Sequence, residues 1–242
     1  MQITQTDPIE GQLNAAERQL LTDAIVKAAV KPKVAVEVGT WFGGGSTLHI
    51  LRALQRNGVG TLLGIEADES VYEQMIRNIR EAIPEALHRF TPAFGFSQDI
   101  IPGWLDKLGP EAQVDFVFLD GGNNPREQIE EFTLLESRIP VGGQLMAHDA
   151  KLRKGKWLVP YLSLLDNWTT TLHDVSEEGL FHARKTSARA THKSLGAARR
   201  KLLQLHFSPL EIAARIIPKS IRSRVLHSVP RSVAGRIADG RR

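Results

Sequence analysis

The sequence predicts an α/β domain on a mostly parallel sheet that closes with an antiparallel edge hairpin. Three observations carry this. Short apolar runs rich in β-branched residues alternate with stretches of helical periodicity over most of the chain. The first run, Val34 to Val38, breaks into a turn holding Gly39, Gly43, Gly44 and Gly45, and an apolar helical pattern (Leu48, Leu51, Leu54) follows. The last two strand-like runs adjoin with no helix between them, which marks a hairpin.

Taken in order, residues 12–30 carry Leu13, Ala16, Leu20, Ala24 and Ala28 at helical spacing, and Lys31-Pro32 ends that helix. Strand one spans 33–38 and its helix 44–57. Strand two is 61–66, and the helix after it, 69–81, starts behind Asp68, a good N-cap. A short third strand covers 88–94, a helix 98–108, the fourth strand 114–119, a helix 125–138 and the fifth strand 143–148. A helix over 156–166 precedes the hairpin strands, 169–175 and 179–185.

Chemistry gathers at the strand ends. The second strand stops at Glu66, at about the spacing from the glycine turn at which doubly wound folds hold ribose hydroxyls. A carboxylate accepts both hydrogen bonds of a vicinal diol. The fourth strand ends at Asp120 and the fifth at His148-Asp149, and the carboxyl edge of an open α/β sheet is where ligands bind. Glycines in the first turn let the backbone approach a ligand, and the following helix points N–H groups at it. A NAD-binding reading fits less well, because Gly39 to Gly43 lacks the G-x-G start and Glu37 sits inside the strand end.

With these residues in place, the chain resembles class I S-adenosylmethionine (SAM) methyltransferases, and most closely the bacterial small-molecule O-methyltransferases. The likeness rests on Glu37-x-Gly39-Thr40-x-x-Gly43, Glu66, Gly95-Phe96-Ser97, Phe118-Leu119-Asp120-Gly121 and Gly142-Gly143-x-Leu145-x-x-His148-Asp149, and it covers roughly residues 12–186. It implies a Rossmann-like, mostly parallel seven-stranded sheet with an antiparallel edge hairpin, SAM as cofactor, and a methyltransferase domain over 1–186. It also implies that Gly39, Thr40, Trp41 and Gly43 border the cofactor, that Glu37 anchors its amino group, and that Glu66 holds its ribose. Phe96 and Ser97 then lie beside the adenine, and Asp120 serves both the cofactor and the reacting centre.

Each residue also has a plainer reading. The glycines serve any strand–helix turn, Glu66 is also a solvated strand-end acid, and His148 is also a packed strand-end histidine. Two routes to an activated hydroxyl stay open. Asp120 and Asp149 at adjacent strand ends form an oxygen pair that suits Mg2+, which lowers the pKa of a bound hydroxyl. Alternatively His148 takes the hydroxyl proton itself, with Asp149 orienting it. The chain departs from the metal-dependent pattern at His148-Asp149-Ala150 and at Asn123, and no lysine adjoins Asp120 in sequence. A catalytically inactive SAM-binding protein therefore stays a competing reading. Trp41 is the aromatic expected to wall the acceptor pocket, while Trp104, Trp157, Tyr161 and Trp168 are expected mostly in the core.

Composition narrows the field. The 242 residues hold no cysteine, which excludes disulfides and thiolate chemistry. The N-terminus is polar, and no long uncharged apolar run follows, so the expected location is cytoplasmic, with a peripheral membrane contact as an alternative. Charge is split: residues 1–183 hold 16 Lys+Arg against 25 Asp+Glu, and residues 184–242 hold 15 against 2. This break marks 187–242 as a basic, helical C-terminal extension, with a short helix over 196–205 and an apolar four-residue repeat (Ile221, Val225, Val229, Val233, Ile237) crossed by Pro230. Three partners compete for it: the acidic catalytic domain of its own or a second copy, an anionic membrane surface, and, last, nucleic acid. The expected reaction is methyl transfer to a hydroxyl of a small molecule or glycan. RNA or protein methylation steered by the basic tail is the alternative.

Overall fold

The computed structural model describes residues 9–207. The strands are β1 (Val34–Val38), β2 (Thr61–Glu66), β3 (Phe90–Phe94), β4 (Phe116–Leu119), β5 (Gln144–Ala147), β6 (Trp168–His173) and β7 (Leu180–Lys185). The α-helices are α1 (Ala15–Val26), α2 (Thr47–Asn57), α3 (Glu69–Ala82), α4 (Ser97–Leu108), α5 (Pro125–Leu135), α6 (Leu158–Ser163) and α7 (His192–His206). The strands form one sheet in the order β3-β2-β1-β4-β5-β7-β6. β1 to β5 pair in parallel, and β7 joins β5 and β6 antiparallel. The seven strands and the edge hairpin are those that the sequence predicts.

Pairing register sets the functional edge. Val38 is level with Ile65 on one side and Leu119 on the other, and Leu119 is level with Ala147. The next residues along each strand, Gly39, Glu66, Asp120 and His148, therefore share one rim. Strand order reverses between β1 and β4, so the crevice of a doubly wound sheet opens there.

The inner strands are buried on both faces, and the two faces alternate. Val36, Val38, Leu63, Ile65, Val117, Leu119, Leu145 and Ala147 belong to a core shared with α4, α5 and α6. Ala35, Leu62, Phe116, Phe118 and Met146 belong to the opposite core, covered by α1, α2 and α3. Sheets covered by helices on both faces read as near-continuous apolar runs, which is what made these strands recognisable. Among the aromatics, Trp157 and Trp168 are buried in the core as expected, and Trp41 is exposed.

Most differences from the sequence reading are at element ends. The helix expected over 156–166 is shorter, because Lys154–Lys156 turn as a 3-10 segment before α6. β4 starts only at Phe116, because the side chain of Asp115 accepts from the N–H groups of Lys33 and Val34. The helix expected at 196–205 is α7, which starts at His192 behind the N-cap Thr191. Its Ala198 is fully buried in the core, and Leu195, Leu202 and Leu205 pack on the same core, so the packed body continues past residue 186. The apolar repeat from Ile221 to Ile237 lies outside the described residues. No described helix is long and apolar enough to cross a membrane.

Candidate active site

A cleft opens at the rim of β1, β2 and β4, with about 500 Å3 of space including its open mouth. Gly39, Glu66, Phe96 and Ser97 from the sequence reading line it, joined by Gly121, Gly122, Glu127 and Glu131. Gly39 lies against the β4 end with φ of +83°, and a Cβ there would stand 2.5 Å from the Asp120 carbonyl oxygen. Only glycine brings β1 that close to β4. Glu66 is fixed by three backbone donors: Trp41 (3.0 Å), Ala67 (2.9 Å) and Asp68 (3.1 Å). Its carboxylate has about four acceptor sites, so capacity remains for a ligand hydroxyl. Phe96 is 65% exposed, a free aromatic face at the mouth.

Ser97 is buried and donates to Glu131 at 2.7 Å. Burial drives the Glu131 carboxyl up to about 7, and its second oxygen has no partner. Thr40 is buried with its hydroxyl unpartnered, and Trp41 holds a left-handed backbone (φ 50°) at the surface. Neither lines the cleft, nor does Gly43, whose missing Cβ makes room for Ile79 at 3.0 Å. Glu37 is not in the cleft wall either. The pleat points it to the opposite face from Val36 and Val38, where it is fully buried beside Ser46, whose hydroxyl donates to it. Burial there raises its carboxyl to about 8, and one oxygen has no partner.

Next to the cleft the ends of β4 and β5 hold a buried ionic cluster. The Lys154 ammonium is 2.7 Å from Asp120 and 2.8 Å from Asp149, and it also donates to the carbonyl oxygens of Asp120 (3.2 Å) and Gly121 (3.0 Å). His148 lies against the same acids, with Nδ1 3.3 Å from both Asp120 and Asp149 and Nε2 3.4 Å from Glu17 of α1. These are ion-pair approaches without hydrogen-bond alignment, since neither ring nitrogen makes an aligned hydrogen bond. Glu17 is itself held: it closes a capping box with Asn14 and accepts from the Ser176 hydroxyl at 2.5 Å. Asp149 has φ of 57°, a conformation that costs energy in a non-glycine residue and clusters at functional sites.

The charges shift one another. Burial alone would lower the His148 pKa, but Asp120, with Asp149 and Glu17 behind it, raises it to about 9. Burial would raise Asp120, yet Lys154 and His148 together bring it below the ordinary carboxylate range. Burial would lower Lys154, and the two aspartates override this and raise it. At neutral pH the cluster therefore holds an imidazolium and an ammonium between carboxylates.

Sequence reasoning missed Lys154. No lysine adjoins Asp120 in the chain, but Lys154 reaches it from 34 residues downstream. It is carried there by a turn so tight that a Cβ on Gly155 would meet the Ala150 carbonyl oxygen at 2.3 Å. The only signal was the lysine density just after Asp149, at Lys151, Lys154 and Lys156. Glu17 was readable as part of a capping box but not as a neighbour of His148. Mg2+ meets a poor fit in this cluster. Asp120, His148 and Asp149 do place donor atoms within 4.8 Å of one another. However, one oxygen of each aspartate already faces the Lys154 ammonium.

None of the curated proteins compared matches the chain. Residues 36–150 match the family model described as "Methyltransferase domain". Among solved structures, the O-methyltransferase TomG from Streptomyces achromogenes, in complex with SAM, is 24% identical over 73% of this chain and 82% of its own, with a TM-score of 0.59. A putative O-methyltransferase from Klebsiella pneumoniae is 19% identical over 73% and 82%, with a TM-score of 0.59. The O-methyltransferase from Bacillus cereus, in complex with SAH, is 16% identical over 72% and 83%, with a TM-score of 0.57. At these identities the structures establish the shared fold, and it is a methyltransferase fold. The match to the methyltransferase-domain model runs from β1 to the end of β5 within that fold.

Proposed function

We propose that this protein moves the methyl group of SAM to a hydroxyl of a small molecule or glycan. The observation that carries the proposal is the ionic cluster at the β4 and β5 ends, set beside a cleft of the right kind for SAM. In this reading Glu66 accepts from the ribose hydroxyls, Gly39 lets the methionine part pass close to the backbone, and Phe96 stacks on the adenine. Ser97 and Glu131 offer polar contacts at the base. Thr40, Trp41 and Gly43 shape the loop, and Trp41 walls the acceptor side. Glu37 acts from beneath, as a buried carboxyl under the glycine turn.

Methyl transfer from a sulfonium is an in-line displacement. An oxygen–carbon bond forms, the carbon–sulfur bond breaks with its electron pair going to sulfur, and the hydroxyl proton leaves. The protein gains most by aligning the two reactants and excluding water. Asp149 is the most exposed of the aspartate, histidine and lysine groups in the cluster, so it is the group that an acceptor hydroxyl meets first. His148 takes the proton, and the Lys154 ammonium holds Asp120 and Asp149 in place around it.

Incubation with methyl-labelled SAM and a panel of hydroxylated metabolites, with the label located by mass spectrometry, tests the reaction. Label on nitrogen, or none on any acceptor, would overturn it. Two further results are expected. Glu66→Ala weakens SAM binding by about 1–3 kcal/mol in calorimetry, the loss of charge-assisted hydrogen bonds; unchanged affinity removes Glu66 from the ribose. With His148 as base, kcat climbs with pH up to about 9, where its imidazolium loses its proton, instead of levelling near the ordinary histidine value. A profile flat from pH 6 upward would transfer the base role to Asp149.

The basic residues after 183 favour a second reading, RNA or protein as acceptor, and the same labelling with those polymers checks it. The inactive-protein reading loses one of its grounds, the missing lysine, to Lys154.

A further inference from the structure

We propose that Lys154 is a built-in cation: its ammonium fills the place between Asp120 and Asp149 that a divalent ion would take, so the protein works without a metal. The four oxygens around the ammonium carry this. Asp120 Oδ1 and Asp149 Oδ2 contact it at 2.7 and 2.8 Å, and the carbonyl oxygens of Gly121 and Asp120 at 3.0 and 3.2 Å. Two carboxylates plus backbone carbonyls are the all-oxygen shell that hard cations select. Here an ammonium with three N–H donors meets it instead.

The arrangement is fixed. The Lys154 side chain is 4% exposed, and its backbone is locked by the close packing of Gly155 on Ala150. A Mg2+ ion on the same carboxylates would share a buried pocket with the ammonium and with the His148 ring, which is also 3.3 Å from both acids. Like charges at such range repel strongly where water is excluded. The His148 ring and the Lys154 ammonium already lie against these two aspartates, which leaves a divalent ion no uncontested carboxylate pair.

The consequence bears on the acceptor. A metal holds two neighbouring oxygens of a substrate, as in a catechol, in one chelate. An ammonium buried behind its carboxylates offers no such chelate, so the acceptor class is a single hydroxyl rather than a vicinal pair. This part rests on the methyl-transfer reading; the cation cradle itself does not.

Mn2+ is the probe. Calorimetry and Mn2+ electron paramagnetic resonance on the full-length wild-type chain are expected to show no stoichiometric binding at about 1 mM Mn2+. Lys154→Ala empties the cradle and is expected to bind Mn2+ at least about tenfold more tightly than wild type and to melt at higher temperature when Mn2+ is added. Lys154→Arg keeps the positive charge and is expected to stay blind to Mn2+. Stoichiometric Mn2+ binding by wild type overturns the proposal, whether or not either variant folds. A folded Lys154→Ala that ignores Mn2+ overturns it as well. These readouts need no acceptor, so they stand apart from any failure of the labelling experiment.

Discussion

Gly39→Ala is expected to abolish measurable SAM binding and to cost the fold roughly 2–4 kcal/mol, from a left-handed backbone forced on a residue with a Cβ together with overpacking. Both sources are specific to this position. The backbone φ is +83°, and the added carbon would stand 2.5 Å from the Asp120 carbonyl oxygen and 2.6 Å from the Gly121 nitrogen. Those are backbone atoms of the neighbouring strand end, so nothing flexible can give way. β1 and β4 must part at their tips, where the cleft lies. Gly58→Ala is the matched control: φ is +71°, but nothing lies within 4 Å of the added carbon. It should lose only about 1 kcal/mol and keep SAM affinity. Urea denaturation of both variants beside calorimetric SAM titration decides, and equal losses in the two would refute the argument.

Asp120→Asn is expected to be the most damaging change in the ionic cluster. It leaves two buried cations with Asp149 between them and only Glu17 on the far side of His148, and breaking a buried pair typically costs about 3–5 kcal/mol. It should also change how stability depends on pH. In the wild type the folded-state pKa of His148 is near 9, above its unfolded value of about 6.5. Its stabilisation is thus complete below about 6.5 and lost as pH rises through 9. Asp120 has a lowered folded-state pKa, so its contribution is present above about 3.9 and lost as pH falls through the folded value. Wild-type stability should therefore fall between pH 6.5 and 9. The variant, whose histidine has lost its main partner, should show a flatter slope there. Glu37, raised to about 8 chiefly by burial and in lesser part by the Asp120 charge, adds a separate decline from about 4.5 to 8, most of which the variant keeps. Denaturation midpoints from pH 6 to 10 give the comparison, and parallel slopes would mean that Asp120 does not hold the proton on His148.

How far the sequence reveals this protein depends on the distance over which a residue acts. β1, β2, β4 and β5 were legible because burial on both faces writes near-continuous apolar runs, and Glu66 and Asp120 because each directly follows such a run. Glu37 was harder to place. Sequence position puts it near the cofactor loop, whereas the two-residue pleat turns it under the sheet against Ser46. Ser97 faces the cleft and also a helix, donating to Glu131, a partner that no local pattern announces. Lys154 was invisible for a stronger reason. It lies in a 3-10 turn without apolar periodicity, and its partner Asp120 belongs to another strand. Glu17 reaches His148 across an even longer stretch of chain.

The placement of Glu17 has a practical side for anyone dissecting this chain. The segment that matches the methyltransferase family, 36–150, begins after Glu17 and ends before Lys154 and Ser176. A fragment trimmed to those borders would keep β2 to β5 whole and β1 from Val36 onward. It would lose the ammonium that neutralises its two aspartates and the carboxylate that faces the far side of its histidine. Swapping this segment between related enzymes would carry over the acids and the imidazole and leave their counter-charges behind, so successful chimeras should have their joints before Asn14 and after Ser176.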